Sequence, residues 1–278
     1  MNNFLIQAVG GLGLVGILVF MLWVYFVNFT SAGQQYFFNK HLLLMRNAVQ
    51  KPVGFVMGLS RLIGYKTGTI IAIILVLLIN TVLIKSLGIK PFVYFYPAGA
   101  VGENFGVMLL GSILGVLLLW GQIALLNCFL KLRIKLGNEV TSALDCITYP
   151  LSRFRSLTIN TVVGCVVIFV ALCGLLLLNG VPENIANSFF EIIRYFLMSI
   201  VDILLIIKKL IILFIILSFV SIFTKNLGFI AITNEWISVL GFSVFPVKLR
   251  VLMFDFSPII ALWLCGIVHA ILHGFLHG

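Results

Sequence analysis

The chain has 278 residues, of which 62% are hydrophobic and only 9% charged, with a mean hydropathy of +1.22. Soluble domains carry about 25% charged residues, so a soluble enzyme or binding module is excluded. The formal net charge of +10 is no nucleic-acid footprint either, because 13 of the 18 Lys and Arg fall in three short segments between long apolar runs.

Apolar runs of roughly 18 or more residues read as transmembrane helices. Backbone groups in lipid must be paired internally, and the runs lack the alternation of barrel strands, so the predicted class is all-α and polytopic. About six spans are predicted, arranged as three two-span repeats with interfacial amphipathic segments.

Span 1 covers 7–29, and Gly10, Gly11, Gly13 and Gly16 at its start allow close helix approach. The stretch from Met1 to Gly16 lacks a basic n-region, so this span is expected to be retained. Next comes an amphipathic stretch at 38–51, where Phe38, Leu42, Met45 and Val49 share one helical face and Lys40, Asn47 and Lys51 point away. It ends at Pro52, and span 2 follows at 68–88. Span 3, 106–130, carries Gly111-x-x-x-Gly115. A second amphipathic stretch at 136–151 repeats the spacing through Val140, Leu144, Ile147 and Leu151, ending at Pro150 with Arg153 and Arg155 just beyond. Span 4 is 160–180.

Span 5, 195–223, is the most unusual, because the stretch from Glu191 to Phe223 includes Arg194, Asp202, Lys208 and Lys209. Intramembrane charges usually face a pathway or a polar partner. Asp202 and Lys209 share a face but stand two turns apart, so a partner on another helix is expected, with Gln122 or Asn127 as candidates. In the third amphipathic stretch Trp236, Leu240 and Val247 line one side, and Ser243 interrupts the stripe. Pro246, Lys248 and Arg250 follow, then Asp255, Ser257 and Pro258 open span 6 at 257–276 as an acidic residue, an N-cap and a first-turn proline. His269, His273 and His277 form a stripe at the end of that span. They could offer imidazoles to a metal such as zinc, though no carboxylate or Cys lies beside them in sequence. The bland alternative is three interfacial histidines.

Pro52, Pro150 and Pro246 mark an internal repeat, since 150 − 52 = 98 and 246 − 150 = 96. The units are 1–91, 92–186 and 187–278. Basic residues cluster after spans 1, 3 and 5, so these segments are expected in the cytoplasm and both termini outside. There Lys40, Lys51, Arg153, Arg155, Lys248 and Arg250 would meet anionic headgroups or a partner. Five cysteines without C-x-x-C spacing read as packing residues. The eight acidic residues are scattered, and no catalytic set or cofactor motif is visible.

A span, an amphipathic segment, Pro-x-x-x-Arg and then Asp-x-Ser-Pro-Ile-Ile-Ala resembles the YggT (YlmG) family of small integral membrane proteins. The third unit carries this best, through Pro246, Arg250, Asp255, Ser257 and Pro258. The second carries Pro150, Arg153 and Arg155. The first carries Pro52, Arg61 and the Thr69-Ile70-Ile71-Ala72 run. Family members have two such units, whereas three are read here. The resemblance implies a non-enzymatic protein of the bacterial inner membrane, serving osmotic-stress response, cell division or assembly of membrane proteins and cytochromes. It also leaves room for a membrane-protein partner or homo-oligomer. Two other functions stay open on the span 5 charges: a transporter or channel using Asp202, Lys208 and Lys209, or an accessory subunit of a larger membrane complex.

Overall fold

The computed structural model describes residues 12–28, 39–43, 47, 50, 64–86, 104–133, 139–150, 152, 156–178, 185–225, 227–247, 249–251 and 254–277. Among these the chain forms helices α1 (Leu12–Asn28), α2 (Gly64–Ser86), α3 (Phe105–Arg133), α4 (Glu139–Ile147), α5 (Leu157–Leu178), α6 (Ile185–Val201), α7 (Ile203–Phe223), α8 (Leu227–Val244) and α9 (Ser257–His277). A two-residue antiparallel bridge, β1 (Arg250–Val251) with β2 (Phe254–Asp255), precedes α9 and pairs Arg250 with Asp255. The protein is an all-α polytopic membrane protein.

Six helical stretches are long and apolar enough to cross a membrane: Lys66–Leu83, Phe105–Arg133, Leu157–Leu178, Phe189–Phe223, Leu227–Val244 and Ser257–Leu276. Five correspond to predicted spans 2 to 6, and the sixth is α8. The described part of span 1 is the 17-residue α1. Span 5 begins earlier than predicted, because α6 runs into α7 through Asp202. The backbone bonds pass straight through this point: the Asp202 N–H donates to the Met198 carbonyl at 2.9 Å, and the Ile206 N–H to the Asp202 carbonyl at 3.0 Å. Phe189–Phe223 therefore makes a 35-residue helix. At 1.5 Å per residue it is ~52 Å long, well beyond a hydrocarbon core of ~30 Å.

The third amphipathic stretch differs most from expectation. It becomes an 18-residue helix, α8, that folds back antiparallel on α7. Phe214 stacks on Trp236 at 4.9 Å, and Ser218 Oγ donates to Asn234 Oδ1 at 3.3 Å. Ser243 does not break the packed face. It is buried, and its hydroxyl donates to the Leu240 carbonyl of its own helix at 2.7 Å. Thr233 is satisfied in the same way by Phe229 and Ile230.

Inside a bilayer apolar side chains gain little by leaving lipid for protein, so close packing and polar contacts hold helices together. Accordingly α3 and α5 pack tightly: a Cβ added at Gly121 would lie 2.7 Å from Ile168 Cγ1 and 3.2 Å from the Gly164 carbonyl oxygen. A Cβ at Gly174 would meet Leu114, and one at Gly111 would meet Leu178, so the two helices run antiparallel. The largest core joins α1, α3, α4, α7, α8 and α9 through Val24, Leu126, Leu144, Ile207, Leu240 and Cys265.

Candidate functional site

Two polar centres stand out, and the first is built where segments from three distant parts of the chain meet. Asn39 accepts the backbone N–H groups of His41 at 3.0 Å and Leu42 at 3.4 Å, capping the helical turn at 40–43. Its amide also donates to the Glu139 carbonyl at 2.9 Å, tying that turn to the first residue of α4. Lys40 Nζ then lies 3.2 Å from Glu139 Oε2 and 2.7 Å from Glu235 Oε2 of α8. His41 is only 3% exposed. The Trp236 indole N–H donates to His41 Nδ1 at 3.1 Å. Nε2 stands 3.5 Å from Glu235 Oε2 and 3.8 Å from Glu139 Oε2, hydrogen bonding neither.

The placement follows the prolines. His41, Glu139 and Glu235 precede Pro52, Pro150 and Pro246 by the same interval, since 52 − 41, 150 − 139 and 246 − 235 are all 11. The next residue in each case, Leu42, Val140 or Trp236, is buried. This is the signal the sequence reading missed, along with the Asn138-Glu139 and Asn234-Glu235 dipeptides. Scattered acids looked uninformative because they were not aligned on the prolines.

Ligand atoms of His41, Glu139 and Glu235 fall within 4.8 Å of one another, close enough for a metal ion. The donor chemistry argues against one. Because Trp236 donates to Nδ1, the neutral ring carries its proton on Nε2, where a metal would have to bind. Moving that proton to Nδ1 would set it against the indole N–H, whereas metal-bound histidines need an acceptor at that position. Lys40 already supplies the cation to both carboxylates. Hydrogen bonds donated to Glu235 and then Glu139 hold its ammonium pKa above its ordinary value. Burial pushes His41 below the usual imidazole range; Lys40 adds to this, and the glutamates oppose it. The arrangement is a charged joint with a neutral imidazole beneath it.

The second centre lies where α6 runs into α7. Asp202 is 2% exposed, and its Oδ1 is 2.9 Å from His269 Nε2 on α9. The ring of His273 stacks on His269 at 5.3 Å. The carboxylate that the histidine stripe lacks in sequence is therefore supplied from another helix. The expected partners of Asp202 are engaged elsewhere: Gln122 donates to Ser199, and Asn127 to Asp145. Lys208 Nζ comes near Gly266, 3.4 Å from where a Cβ would stand, and Lys209 is exposed.

Asp145 on α4 also takes Lys131 of α3, locking the second amphipathic segment to its span. Pro150 lies in the turn that ends α4, and the Ser152 hydroxyl donates to the Asp145 carbonyl at 2.7 Å. Pro246 follows α8, and Pro258 packs on Gly241. The Asp255 carboxylate accepts the Ser257 N–H at 3.0 Å at the start of α9, while the Ser257 hydroxyl takes the Leu249 N–H at 2.8 Å instead of capping its own helix. Lys51, Pro52, Arg61, Arg153, Arg155 and Lys248 lie outside the described residues, as do the side chains of Arg250 and His277. No protein-family model, curated protein or solved structure matches the chain.

Proposed function

We propose that the chain is a non-enzymatic, YggT-like protein of the bacterial inner membrane, made of three two-span repeats and serving envelope upkeep. The observation that carries this reading is the joint of Lys40, His41, Glu139 and Glu235, to which each unit brings its residue eleven positions before its marker proline. A joint whose two carboxylates are held by one shared ammonium suits a scaffold better than a reaction centre. The basic segments would rest on the anionic cytoplasmic leaflet with both termini outside. They would thereby offer a surface to a membrane-protein partner or a second copy.

The test is a strain lacking the chain, scored for survival of osmotic shift, septum formation and cytochrome content. A defect in at least one is expected, restored by the wild-type chain and not by Glu139→Lys. A strain unchanged in all three would remove the envelope reading. Stoichiometric co-purification with one larger assembly, lost together with that assembly's activity, would favour the accessory-subunit reading instead.

A further inference from the structure

The geometry points to a proton-binding site inside the membrane-spanning region, formed by Asp202 and His269 and reached along the histidine row of α9. This rests on neither the family resemblance nor the repeats. Asp202 lies within the 35-residue helix Phe189–Phe223, shut off from solvent. One carboxylate oxygen holds the His269 ring at 2.9 Å; the other, Oδ2, is buried and has no hydrogen-bond partner among the described residues. A charged oxygen without a donor in such surroundings is costly. A proton removes that charge without any further ligand.

The surroundings select a proton over a metal or alkali ion. The helix continues unbroken through Asp202, so the Met198 and Asp202 carbonyls stay in backbone bonds and offer no coordinating ring. Among the described residues the one gathering of three metal-type ligands is His41, Glu139 and Glu235, which shares no residue with this centre. The charged and titratable groups around Asp202 are mostly basic or imidazole. His269 and His273 face it from α9, Lys208 and Lys209 follow it on α7, and Arg194, Tyr195 and Glu191 precede it on α6. The facing lengths of α3 and α5 carry no charged residue.

His269 and His273 step by four along α9 with their rings stacked, so the pair leads one turn, ~6 Å, from Asp202 toward the C-terminal end of that helix. A hydronium ion arriving along it gives its proton to Asp202 Oδ2 and leaves as water. Asp202 becomes a neutral carboxylic acid, while Oδ1 keeps the His269 Nε2–H bond. Release is the reverse step, with hydroxide or water taking the proton.

Infrared difference spectra of the full chain in liposomes, acidic minus alkaline, test this directly. Wild type should show a carboxylic C=O band that Asp202→Asn lacks and Asp202→Glu retains at a shifted frequency. In His269→Leu the band should persist to higher pH by about one unit, a tenfold change in proton affinity, because a donor to the carboxylate is gone. Identical spectra for wild type and Asp202→Asn would overturn the proposal. So would a His269→Leu midpoint equal to that of wild type.

Discussion

His41 owes its environment to residues nearly 100 and 200 positions away, which no local pattern announces. Its apolar neighbour Leu42 was legible as part of an amphipathic stripe, and its own place at the edge of that stripe was not. The pH behaviour of the fold follows from its burial. In the unfolded chain the ring takes a proton near 6.5, whereas the folded ring resists protonation to lower pH. The stability His41 contributes is therefore complete above about 6.5 and declines as the pH falls toward the lowered value. Thermal unfolding of the full chain in detergent should show that decline, and His41→Gln should flatten it. An equally steep decline in the variant would assign it to other groups. At the same scale, burial pushes the Cys146 thiol up to about 12. Maleimide at neutral pH should leave Cys146 unmodified until the protein is denatured; rapid native labelling would contradict its burial on the inner face of α4.

At the scale of elements, hydropathy alone located α2, α3, α5 and α9 to within a few residues, because a lipid-spanning helix advertises itself by length and apolarity. The α8 helix was harder. Its buried Ser243 and Thr233 look polar in a pattern, yet each hydroxyl is satisfied by its own helix backbone, so neither interrupts the packed face. The close approach of helices was also misplaced. Gly111 was the natural candidate, but an added Cβ there meets nothing nearer than 4.0 Å, whereas one at Gly121 strikes Ile168. Gly121→Val should destabilise the α3–α5 pair by about 1–3 kcal/mol through overpacking. Gly111→Ala should be neutral or stabilising by up to ~1 kcal/mol, since glycine is the poorer helix former. Unfolding in detergent measures both, and equal effects would mean the crossing point lies elsewhere.

On the scale of the whole molecule, α3 and α5 are antiparallel, so Asn104 before α3 and Ser156 before α5 stand at opposite ends of the pair. The turn at 40–43, α4 and Glu235 are tied together by Asn39 and Lys40. The charge bias predicts that Ser156 and the basic segments face the cytoplasm. An impermeant thiol reagent outside the cell should label a cysteine placed at 104 and spare one at 156; the converse would invert the topology. The even spacing of the three prolines was legible in the sequence. Which of the residues aligned on them meet was not, because equal spacing along the chain does not say which residues touch. Lys40 is half exposed, so its ion pairs are individually weak and screened by salt. A charge-exchange cycle across 195 positions tests the joint most directly: Lys40→Glu, Glu235→Lys and both together, each unfolded thermally in detergent at low salt. The joint predicts that each single change destabilises and that the pair recovers at least about 0.5 kcal/mol, a coupling that shrinks as salt is added. Strictly additive losses at low salt would contradict it.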